Sequence, residues 1–484
     1  MQAKLIIKDE VNVKIEGLEL GTRKKLVDKF KFEIPGARYL PAVRLGRWDG
    51  KQAFFQLGGS GYINLLPDIL PILADEGYDI EIEDLRTYSN KVEFDEFHAD
   101  TFANHVWPKG HPAEGQPIMF RDYQVEIINN FLQNPQSLQE IATGAGKTII
   151  TAALSLSAEK YGRSIVIVPN KDLVKQTEAD YINLGLDVGV YFGDRKEFGR
   201  THTICTWQSL NNLLKNTQNG EAEITIQEFI EDVALVMVDE VHMAKAEALK
   251  TLLTSVFAHI PIRWGLTGTI PKEDYAKVSI FCSIGQVVGK LTASELQDAG
   301  HLSRCHVNIV QMTDHVEYKD YQSELKYLTT TEGRIKYLAS LVARVALTGN
   351  TLVLVDRLET GKMLADMIEG SVFVHGTTKS TTRKEEYDDF ATANDKVAIA
   401  TYGVAAVGLN IPRIFNLVMF ESGKSFTRVI QSIGRGIRKA EDKDFVQIWD
   451  VTSSCKFAKR HLTKRKAFYK EANYPYAMEK VDWQ

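Results

Sequence analysis

The chain is poor in cysteine and contains no long apolar run, and each absence excludes a class of protein. Its four cysteines are far apart among 484 residues and form no Cys-x-x-Cys pair, which argues against a zinc site and against a disulfide framework. No segment has about eighteen consecutive apolar residues, so no segment is expected to span a membrane. The first ten residues lack the apolar core of a signal peptide. We therefore expect a cytoplasmic protein.

The length and the charge distribution indicate several domains and a partner that carries phosphate groups. A chain of 484 residues is long enough for about three domains. The formal net charge is −5, yet residues 1–51 hold twelve Lys and Arg against seven Asp and Glu, and residues 456–484 hold eight against three. Basic ends around an acidic middle suit contact with phosphates, although solvated surface charge with no partner explains the same pattern.

A glycine-rich run, Ile141-Ala-Thr-Gly-Ala-Gly-Lys-Thr148, predicts a loop that binds the phosphates of ATP. Its glycines let several backbone N–H groups point at one oxyanion, its lysine adds charge near the β- and γ-phosphates, and its last hydroxyl can ligate Mg²⁺. Ile141 stands where the strict pattern has glycine, so the match is to the shorter Thr-Gly-x-Gly-Lys-Thr form. A glycine turn with a chance Gly-Lys-Thr is the alternative. The predicted phosphate and magnesium ligands are Thr143, Gly144, Ala145, Gly146, Lys147 and Thr148.

A second candidate site follows the apolar run Val233–Val238, which has the pattern of a strand buried on both faces of a parallel sheet. It ends in Asp239 and Glu240, at the carboxyl end of the strand, where open α/β sheets bind ligands. Asp239 can hold Mg²⁺ through its waters, and Glu240 can orient and deprotonate the water that attacks the γ-phosphate. Taken alone, an Asp-Glu pair after a strand is more often a solvated turn, but beside a phosphate loop the catalytic interpretation is favoured.

The order of predicted elements indicates three parts. Residues 1–100 have the pattern of a small α+β unit, and residues 101–117 are polar and rich in proline and glycine, which is typical of a linker. From residue 118 onward, buried strands alternate with helices in the manner of two successive parallel sheets, and the second series contains no phosphate loop.

The motifs between residues 118 and 455 resemble, in order and spacing, those of superfamily-two helicases. His242, which replaces the last Asp of DEAD-type proteins, places the resemblance nearer the DExH type. The resemblance implies an α/β fold of two tandem RecA-like domains that close over ATP and Mg²⁺. These domains would span residues 118–298 and 299–455, between the accessory domain and a basic tail over residues 456–484.

In the first of these domains the resemblance assigns three further roles. Phe120-Arg-Asp-Tyr-Gln124 is similar to the adenine-recognition element, with Phe120 stacking on the base and Gln124 pairing with its edge. The runs that begin at Val168 and Thr206 are similar to nucleic-acid-contacting motifs, although helix capping accounts for either run taken alone. Leu266-Thr-Gly-Thr269 is similar to the coupling motif that reports nucleotide state through the Asp239–His242 region. The residues implied are Pro169, Asn170, Thr206, Gln208 and Ser209 for nucleic acid, and His242, Thr267 and Thr269 for coupling.

In the second domain the resemblance implies residues that act when the cleft closes. Ala400-Thr-Tyr-Gly-Val-Ala-Ala-Val-Gly-Leu-Asn410 resembles motif V, in which Thr401 would face a nucleic-acid phosphate and Gly408 would permit close approach to nucleotide. Asn410 stands where Asp is usual. Gln431-Ser-Ile-Gly-Arg-Gly-Ile-Arg438 resembles the motif that supplies an arginine finger, and its candidates are Gln431, Arg435 and Arg438.

The amino-terminal run Arg44-Leu-Gly-Arg-Trp-Asp-Gly-Lys51 resembles part of the accessory domain of UvsW-like phage helicases, which remodel branched DNA. Arg44, Arg47 and Trp48 offer two cations and a ring to a duplex junction, while a structural turn with a core tryptophan is the alternative. The resemblance favours an ATP-dependent DNA helicase or translocase that unwinds or branch-migrates forked and junction DNA in replication, recombination or repair, with 3′–5′ polarity.

The expected partner is branched or forked DNA, with no membrane and with replication or recombination proteins as further candidates. We expect a monomer in the cytoplasm, which is the host cytoplasm if the gene belongs to a phage. The alternatives are a DExH RNA helicase, a duplex translocase resembling a restriction-enzyme motor, and an ATP-gated DNA-binding scaffold that does not unwind. A small-molecule kinase would explain the phosphate loop but not the Gln431–Arg438 motif.

Overall fold

The computed structural model describes residues 1–87, 92–109, 113–242, 247–375, 390, 392–404, 413–423 and 444–483. The chain divides into two units, one of Met1–Ile141 with Gly146–Lys290 and the other of Ala142–Ala145 with Leu291–Gln484. Among the helices in these ranges, none combines the length and the apolar character that a membrane crossing requires.

The first unit begins with a small α+β domain, as the sequence predicts. Its four-stranded sheet has the order β5-β2-β1-β6, and a separate ribbon pairs β3 with β4. The hairpin between β1 and β2 turns on Asp9, whose Oδ1 accepts the backbone N–H groups of Val11 and Asn12 at 2.9 and 2.6 Å. The elements are β1 (Gln2–Ile7), β2 (Asn12–Glu16), α1 (Leu20–Lys29), β3 (Lys31–Glu33), α2 (Pro41–Arg44), β4 (Lys51–Ala53), β5 (Ser60–Tyr62), α3 (Leu66–Asp75) and β6 (Asp79–Asp84).

The predicted linker packs against the rest of the first unit. Phe97 and Phe102 are buried beside Phe120, with ring centroids 5.0 Å apart for Phe97 and Phe120 and 5.7 Å apart for Phe102 and Phe120. The side chain of Asn129 bonds both the N–H and the C=O of Phe97, at 2.8 and 3.0 Å. Within the predicted linker itself, Phe102 is buried and the His105 oxygen accepts the N–H of Ile118 at 2.8 Å, so the segment packs against the first unit on both sides of its start.

The second part of the first unit is an α/β domain whose eight-stranded sheet has the order β10-β9-β11-β8-β12-β13-β7-β14. Every residue of the strand that contains Val233–Val238 is buried, as its apolar run predicts. The elements are α4 (Asp122–Gln133), β7 (Gln136–Ile141), α5 (Lys147–Ala158), β8 (Arg163–Val168), α6 (Lys171–Asn183), β9 (Val188–Phe192), β10 (Arg195–Lys196), β11 (His202–Thr206), α7 (Trp207–Asn219), α8 (Ile226–Phe229), β12 (Val233–Asp239), α9 (Glu247–Thr251), β13 (Ile262–Thr267), α10 (Asp274–Ser283) and β14 (Gln286–Leu291).

The amino-terminal domain shares a core with this α/β domain. Tyr275 and Cys282 of α10 belong to the same buried cluster as Phe54 and Leu26, and the Tyr275 hydroxyl donates to Gln52 Oε1 at 2.7 Å. Lys250 Nζ lies 4.6 Å from the centre of the Phe54 ring, which adds a cation–π contact to the apolar packing. The two parts of the first unit are thus one packed body.

The second unit is a seven-stranded sheet of order β17-β18-β16-β19-β20-β15-β21 with helices beside it. Together with the first sheet it confirms the predicted α/β fold of two RecA-like domains with parallel sheets. Its elements are α11 (Ala293–Asp298), β15 (Arg304–Met312), α12 (Tyr321–Thr330), α13 (Glu332–Ala346), β16 (Thr351–Val355), α14 (Leu358–Met367), β17 (Val372–Val374), β18 (Val397–Thr401), β19 (Asn416–Phe420), β20 (Phe445–Ser453), α15 (Lys456–Glu471) and β21 (Tyr476–Val481).

The predicted basic tail, residues 456–484, is part of this sheet domain. Strand β21 pairs in parallel with β15, and β15 pairs on its other side with β20. Arg465 of α15 forms a two-pronged ion pair with Asp450 of β20, at 2.9 and 3.0 Å, and both side chains are buried. The predicted boundary at residue 455 therefore does not coincide with the end of the fold, since the last strand needs residues beyond it.

Candidate functional site

The predicted motifs of the first unit lie along one edge of its sheet. Parallel strands β11, β8, β12 and β13 are successive neighbours, and their carboxyl ends lead into the nucleic-acid motifs, the Asp239-Glu240 pair and the coupling motif. In this register Thr206 lies opposite Val168, and Asp239 lies opposite Leu266. The order of strands therefore separates two groups, with the nucleic-acid motifs on one side and the nucleotide motifs on the other.

The predicted phosphate loop connects β7 to α5 and depends on two glycines. Gly144 and Gly146 have φ of 94° and 82°, in the left-handed region that side chains other than glycine rarely adopt. A Cβ at Gly146 would lie 2.7 Å from Gln124 Nε2, so the predicted adenine-binding glutamine touches the loop. Helix α5 begins at Lys147, which directs its first N–H groups toward the loop, where a phosphate would gain from the helix dipole.

An ion pair links the phosphate loop to the Asp239-Glu240 pair. Lys147 Nζ lies 2.6 Å from Glu240 Oε1, and the side chains are only 10 % and 17 % exposed. Although burial opposes ionisation, the Lys147 ammonium and the bond to His242 hold the pKa of Glu240 below its usual range. Burial raises the pKa of Asp239 to about 6, with Lys147 acting in the opposite direction. Lys147 therefore favours the ionised form of both carboxyl groups, and it contacts Glu240 directly.

Glu240 has an unusual backbone conformation. Its φ is 53°, which costs a residue with a side chain on the order of 1 kcal/mol, and its N–H donates to Asp239 Oδ1 at 2.8 Å. The turn directs the Glu240 carboxylate toward Lys147 on one side and toward His242 on the other, where Oε2 lies 3.3 Å from Nδ1. Strain of this kind is common in functional sites, where the surrounding structure holds it in place.

The coupling residues form a chain of hydrogen bonds that starts at His242. His242 Nδ1 lies 2.9 Å from Thr267 Oγ1, and the Thr267 hydroxyl donates to the backbone oxygen of Thr269 at 2.8 Å. The N–H of Gly268 also lies 3.4 Å from Glu240 Oε2. The side chains of His242, Thr267 and Thr269 are buried. A displacement of Glu240 would therefore be transmitted through fixed contacts to the end of β13.

A residue that the sequence analysis did not identify lies beside the predicted magnesium ligand. The Thr148 hydroxyl bonds to the side chain of Asp180 on α6, and burial raises the pKa of that carboxyl group. The next residue, Tyr181, fixes α6 to α5 through its hydroxyl, which lies 2.6 Å from Ser155 Oγ and 3.1 Å from Thr151 O. In the sequence, Asp180 has the pattern of an ordinary solvated helix residue. Only its hydrogen bond to Thr148 in the structure indicates a role at the site.

The two residues predicted for adenine recognition lie in different surroundings. Gln124 is buried near the start of α4, where its Oε1 accepts the N–H of Arg121 at 3.0 Å, and its amide contacts the phosphate loop. Phe120 is only 4 % exposed inside the aromatic cluster with Phe97 and Phe102. Its predicted stacking on adenine does not fit this position, because the ring serves the core.

The two predicted nucleic-acid motifs of the first unit cap helices. Asn170 Oδ1 accepts the N–H of Leu173 at 3.0 Å at the start of α6, and the Thr206 and Ser209 hydroxyls bond each other at 2.9 Å at the start of α7. Gln208 is exposed and Pro169 is half-buried. The caps leave helix N-termini at the sheet edge, a geometry that suits phosphate.

The other predicted site residues are divided between described and undescribed parts of the chain. Thr401 ends β18 and is half-exposed, with its Oγ1 near the N–H of Val404 at 3.4 Å. Arg44 and Arg47 are exposed on the amino-terminal domain, and the half-buried Trp48 donates from Nε1 to the Lys51 oxygen at 3.1 Å. Outside the described residues lie Gly408, Asn410, Gln431, Arg435 and Arg438.

The residues of the first unit fit ATP and magnesium. Gly146 has a positive φ, a backbone conformation that phosphate-binding loops use, and the Lys147 ammonium directly after it, on a side chain only 10 % exposed, can bind a phosphate. Asp239 and Thr148 supply the oxygen ligands that Mg²⁺ prefers. When bound, this metal would neutralise charge on the phosphates and polarise the bond that breaks.

Comparisons with known proteins agree with this geometry. The family model of the type III restriction enzyme res subunit matches residues 117–272, and that of the helicase conserved C-terminal domain matches residues 333–440. The ATP-dependent DNA helicase uvsW of Enterobacteria phage T4 is 24 % identical over 501 residues, covering 98 % of this chain and 95 % of that protein. The DNA 3'-5' helicase XPB of Kineococcus radiotolerans is 24 % identical over 375 residues, covering 75 % and 65 %.

A solved structure supports the fold. That of S. cerevisiae Dbp5 bound to RNA and ADP BeF3 is similar with a TM-score of 0.52 at 16 % identity, covering 76 % of this chain and 91 % of that one. At this identity the likeness shows the fold alone.

Proposed function

This chain belongs to the superfamily-two helicases, ATP-dependent enzymes, and on that premise we propose that it unwinds or branch-migrates forked and junction DNA with 3′–5′ polarity. ATP and Mg²⁺ are the cofactors of this proposal, a monomer in the host cytoplasm is its working form, and replication or recombination proteins are its candidate partners. The similarity to uvsW extends over 98 % of the chain, and uvsW and XPB are both described as DNA helicases.

The observation that carries the proposal is the ion pair between Lys147 and Glu240 at the carboxyl ends of the motif-bearing strands. Two groups that ATP hydrolysis requires, a phosphate-binding ammonium and a carboxylate base, are held 2.6 Å apart. Incoming phosphates compete with Glu240 for Lys147. Once Lys147 binds phosphate, Glu240 loses its counter-charge, so its pKa rises and it becomes a stronger base toward water.

The same displacement connects hydrolysis to movement. Glu240 also contacts His242 and the N–H of Gly268, so a change in its position would alter the contacts of the coupling motif. We propose that Arg435, Arg438 and Gln431 of the second RecA-like domain stabilise the charge on the phosphates during hydrolysis. Alternate closing and opening, with Pro169, Asn170, Thr206, Gln208, Ser209 and Thr401 holding the sugar-phosphate backbone, would then move the strand by steps that do not depend on its sequence.

The test compares nucleic acids as activators. ATP hydrolysis and strand separation are measured with single-stranded, duplex, forked and four-way DNA and with matching RNA, and Lys147→Ala serves as the inactive control. We expect stimulation by DNA, with the greatest strand separation on forks and junctions. A preference for RNA, or equal activity on linear and branched DNA, would contradict the substrate, and ATP hydrolysis indifferent to every nucleic acid would contradict the motor.

A further inference from the structure

Helix α5, which follows the phosphate loop, carries a row of polar side chains along one face. The helix is otherwise mostly apolar, but Thr148, Thr151 and Ser155 recur at intervals of three and four residues. Glu159 continues the row just after the helix ends. This spacing places the four side chains on the same side of α5. Thr151 and Ser155 are buried, so their hydroxyl groups require hydrogen-bond partners from the elements beside the helix.

Helix α6 supplies the first partners. The Tyr181 hydroxyl lies 2.6 Å from Ser155 Oγ and donates to the backbone oxygen of Thr151 at 3.1 Å. The preceding residue, Asp180, bonds the Thr148 hydroxyl at the other end of the row. Two successive residues of α6 thus contact α5 at points about two turns apart. The Tyr181 bonds therefore fix the position of α6 along α5, and with it the position of Asp180.

A series of hydrogen-bonded side chains continues from Ser155 to solvent. Ser164 Oγ on β8 lies 3.4 Å from Ser155 Oγ and 2.6 Å from His202 Nδ1 on β11. The other ring nitrogen, His202 Nε2, lies 2.7 Å from Glu159 Oε1. Ser164 and His202 are buried, whereas the Glu159 side chain is 36 % exposed. These four side chains, here called the polar relay, connect the contact between α5 and α6 with a carboxylate that reaches solvent.

The polar relay holds the His202 ring in one orientation. Burial lowers the pKa of His202, although Glu159 opposes the shift, so the ring is neutral at pH 7. Because a carboxylate only accepts hydrogen bonds, Nε2 donates to Glu159, and Nδ1 accepts from the Ser164 hydroxyl. The ring packs edge-on against Tyr181, with centroids 5.7 Å apart. Tyr181 is therefore supported at its ring by His202 and at its hydroxyl by α5.

We infer that Tyr181 is a positioning residue that keeps Asp180 on Thr148 and thereby sets the affinity of the ATP site for Mg²⁺. The polar relay holds the Tyr181 ring and hydroxyl in place for this role. The inference rests on the proposed function and deepens it, because it assigns control of a magnesium ligand to side chains behind the phosphate loop. A relay that only satisfied its own buried polar groups would affect folding and leave the Mg²⁺ affinity unchanged.

The test measures the Mg²⁺ concentration for half-maximal binding of a fluorescent ATP analogue to the full chain. Tyr181→Phe removes the hydroxyl and keeps the ring, and it should raise this Mg²⁺ midpoint about threefold to tenfold. Binding of the analogue in EDTA should be unchanged, because the phosphate loop itself is intact. The thermal midpoint of each variant reports folding separately.

Thr203→Val is the matched control. Thr203 follows His202 on β11 and points to the opposite face of the sheet, because successive residues of a strand alternate. Its hydroxyl is buried and has no hydrogen-bond partner within the described part of the chain. The variant therefore removes a buried hydroxyl group from the same strand without touching the polar relay, and its Mg²⁺ midpoint should equal that of the wild type.

Two further variants test the route. In an Asp180→Ala background, Tyr181→Phe should raise the Mg²⁺ midpoint no further, because the group that it positions is gone. Glu159→Ala, at the solvent end of the polar relay, should raise the midpoint by a smaller factor than Tyr181→Phe, since His202 loses one of its two bonds. An unchanged midpoint in Glu159→Ala would overturn the role of the polar relay.

A Tyr181→Phe variant with the Mg²⁺ midpoint of the wild type would overturn the inference, even if its thermal midpoint fell. A full additional rise in the double variant would also overturn it, because Tyr181 would then act by another route. A wild-type chain that binds no ATP analogue, or binds it equally with and without Mg²⁺, would instead contradict the cofactors of the proposed function. The two failures are therefore distinguishable.

Discussion

At the scale of single residues, the partner of the Lys147 ammonium determines the state of the nucleotide site. Lys147 forms an ion pair with Glu240 at 2.6 Å. The phosphate-binding ammonium and the carboxylate base are therefore bound to each other. The arrangement implies that nucleotide and Glu240 compete for the same ammonium. Removing the charge of Glu240 should therefore separate nucleotide binding from hydrolysis.

Glu240→Gln tests this competition. We expect ATP turnover to fall by a factor of at least about 100, because the water loses its base. We also expect ATP to bind more tightly, because Lys147 no longer has to break an ion pair with a carboxylate before it binds phosphate. Turnover is measured by phosphate release, and affinity by titration with a fluorescent ATP analogue. Glu231→Gln, on an exposed residue before β12, is the control. Weaker ATP binding with normal turnover would contradict the competition.

Asp180 provides a second residue-scale prediction. A carboxylate that accepts a hydrogen bond from the Thr148 hydroxyl leaves the lone pairs of that oxygen free to face Mg²⁺. Asp180 should therefore orient Thr148 as a magnesium ligand. Asp180→Ala should raise the Mg²⁺ concentration for half-maximal ATP binding by about tenfold or more, and Asp180→Asn should partly restore it. Titration of Mg²⁺ against binding of a fluorescent ATP analogue measures this. Glu178→Ala, on the same helix, should leave the Mg²⁺ midpoint unchanged.

The sequence predicts most of the candidate nucleotide site, because strand ends and glycine conformation fix the positions of its residues. The loop at 143–148 and the pair at Asp239 and Glu240 follow buried strands, and their short-range pattern suffices to place them. Phe120 was misassigned because its burial depends on Phe97 and Phe102, which no local pattern links to it. Asp180 was missed because its partner is 32 residues away in the chain.

At the scale of elements, buried charges hold the last helix against the second sheet. Asp314, Glu421 and Asp450 share the interior with Arg334 and Arg465, so carboxylates outnumber guanidinium groups in this cluster. Burial raises the pKa of Glu421 to about 7, although Arg334 lies 3.0 Å away. One surplus negative charge is most readily relieved by a proton on Glu421.

This raised pKa predicts a pH dependence of stability. The folded protein binds the Glu421 proton more tightly than the unfolded chain, whose glutamate has a pKa of 4.5. The stabilisation is therefore complete below pH 4.5 and is lost as the pH rises toward 7, by at most about 3 kcal/mol. Glu421→Gln should remove this part of the dependence, so the variant should gain on the wild type between pH 5 and 8. Urea unfolding at several pH values measures it, and a constant difference between the two proteins would contradict it.

Breaking the buried ion pair of Arg465 should lower the free energy of unfolding by a large amount. Arg465→Met would leave Asp450 buried without its cation, at a cost of about 3–5 kcal/mol. The double variant Arg465→Met, Asp450→Leu should be less destabilised than the single one, because no charge is left uncompensated. Denaturant unfolding of the full chain measures both, and Lys464→Met on the exposed face of α15 is the control. A double variant that is less stable than Arg465→Met alone would contradict this account.

At the scale of the whole molecule, the amino-terminal domain and the first RecA-like domain act as one body. Phe54 joins them, since its ring packs 5.6 Å from that of Tyr275 and lies under Lys250. A DNA stem bound by the amino-terminal domain would therefore keep a fixed position relative to the ATP site of the same unit. The sequence predicts the two as separate domains, because the side chains that meet across this contact are far apart in the chain.

Phe54→Ala should weaken both parts together. Loss of a fully buried ring costs about 3–5 kcal/mol, and the cavity would border α10 as well as the amino-terminal sheet. Hydrogen exchange should consequently speed up in α10 (Asp274–Ser283) and not only around β4 and β5. Mass spectrometry of the exchanged full chain resolves these segments. Ile82→Ala, at a site that is 63 % exposed, is the control, and protection unchanged in α10 would contradict joint stability.

The register of β15 has a consequence for synthesis. This strand is complete once residue 312 has been made, yet both of its partners, β20 at 445–453 and β21 at 476–481, are more than a hundred residues further along. At bacterial or eukaryotic translation speeds of about 5–20 residues per second, an apolar strand waits for many seconds with its edges open. The nascent chain is therefore most exposed to misassociation midway through its second half, and premature termination there would release an orphaned strand in need of a chaperone.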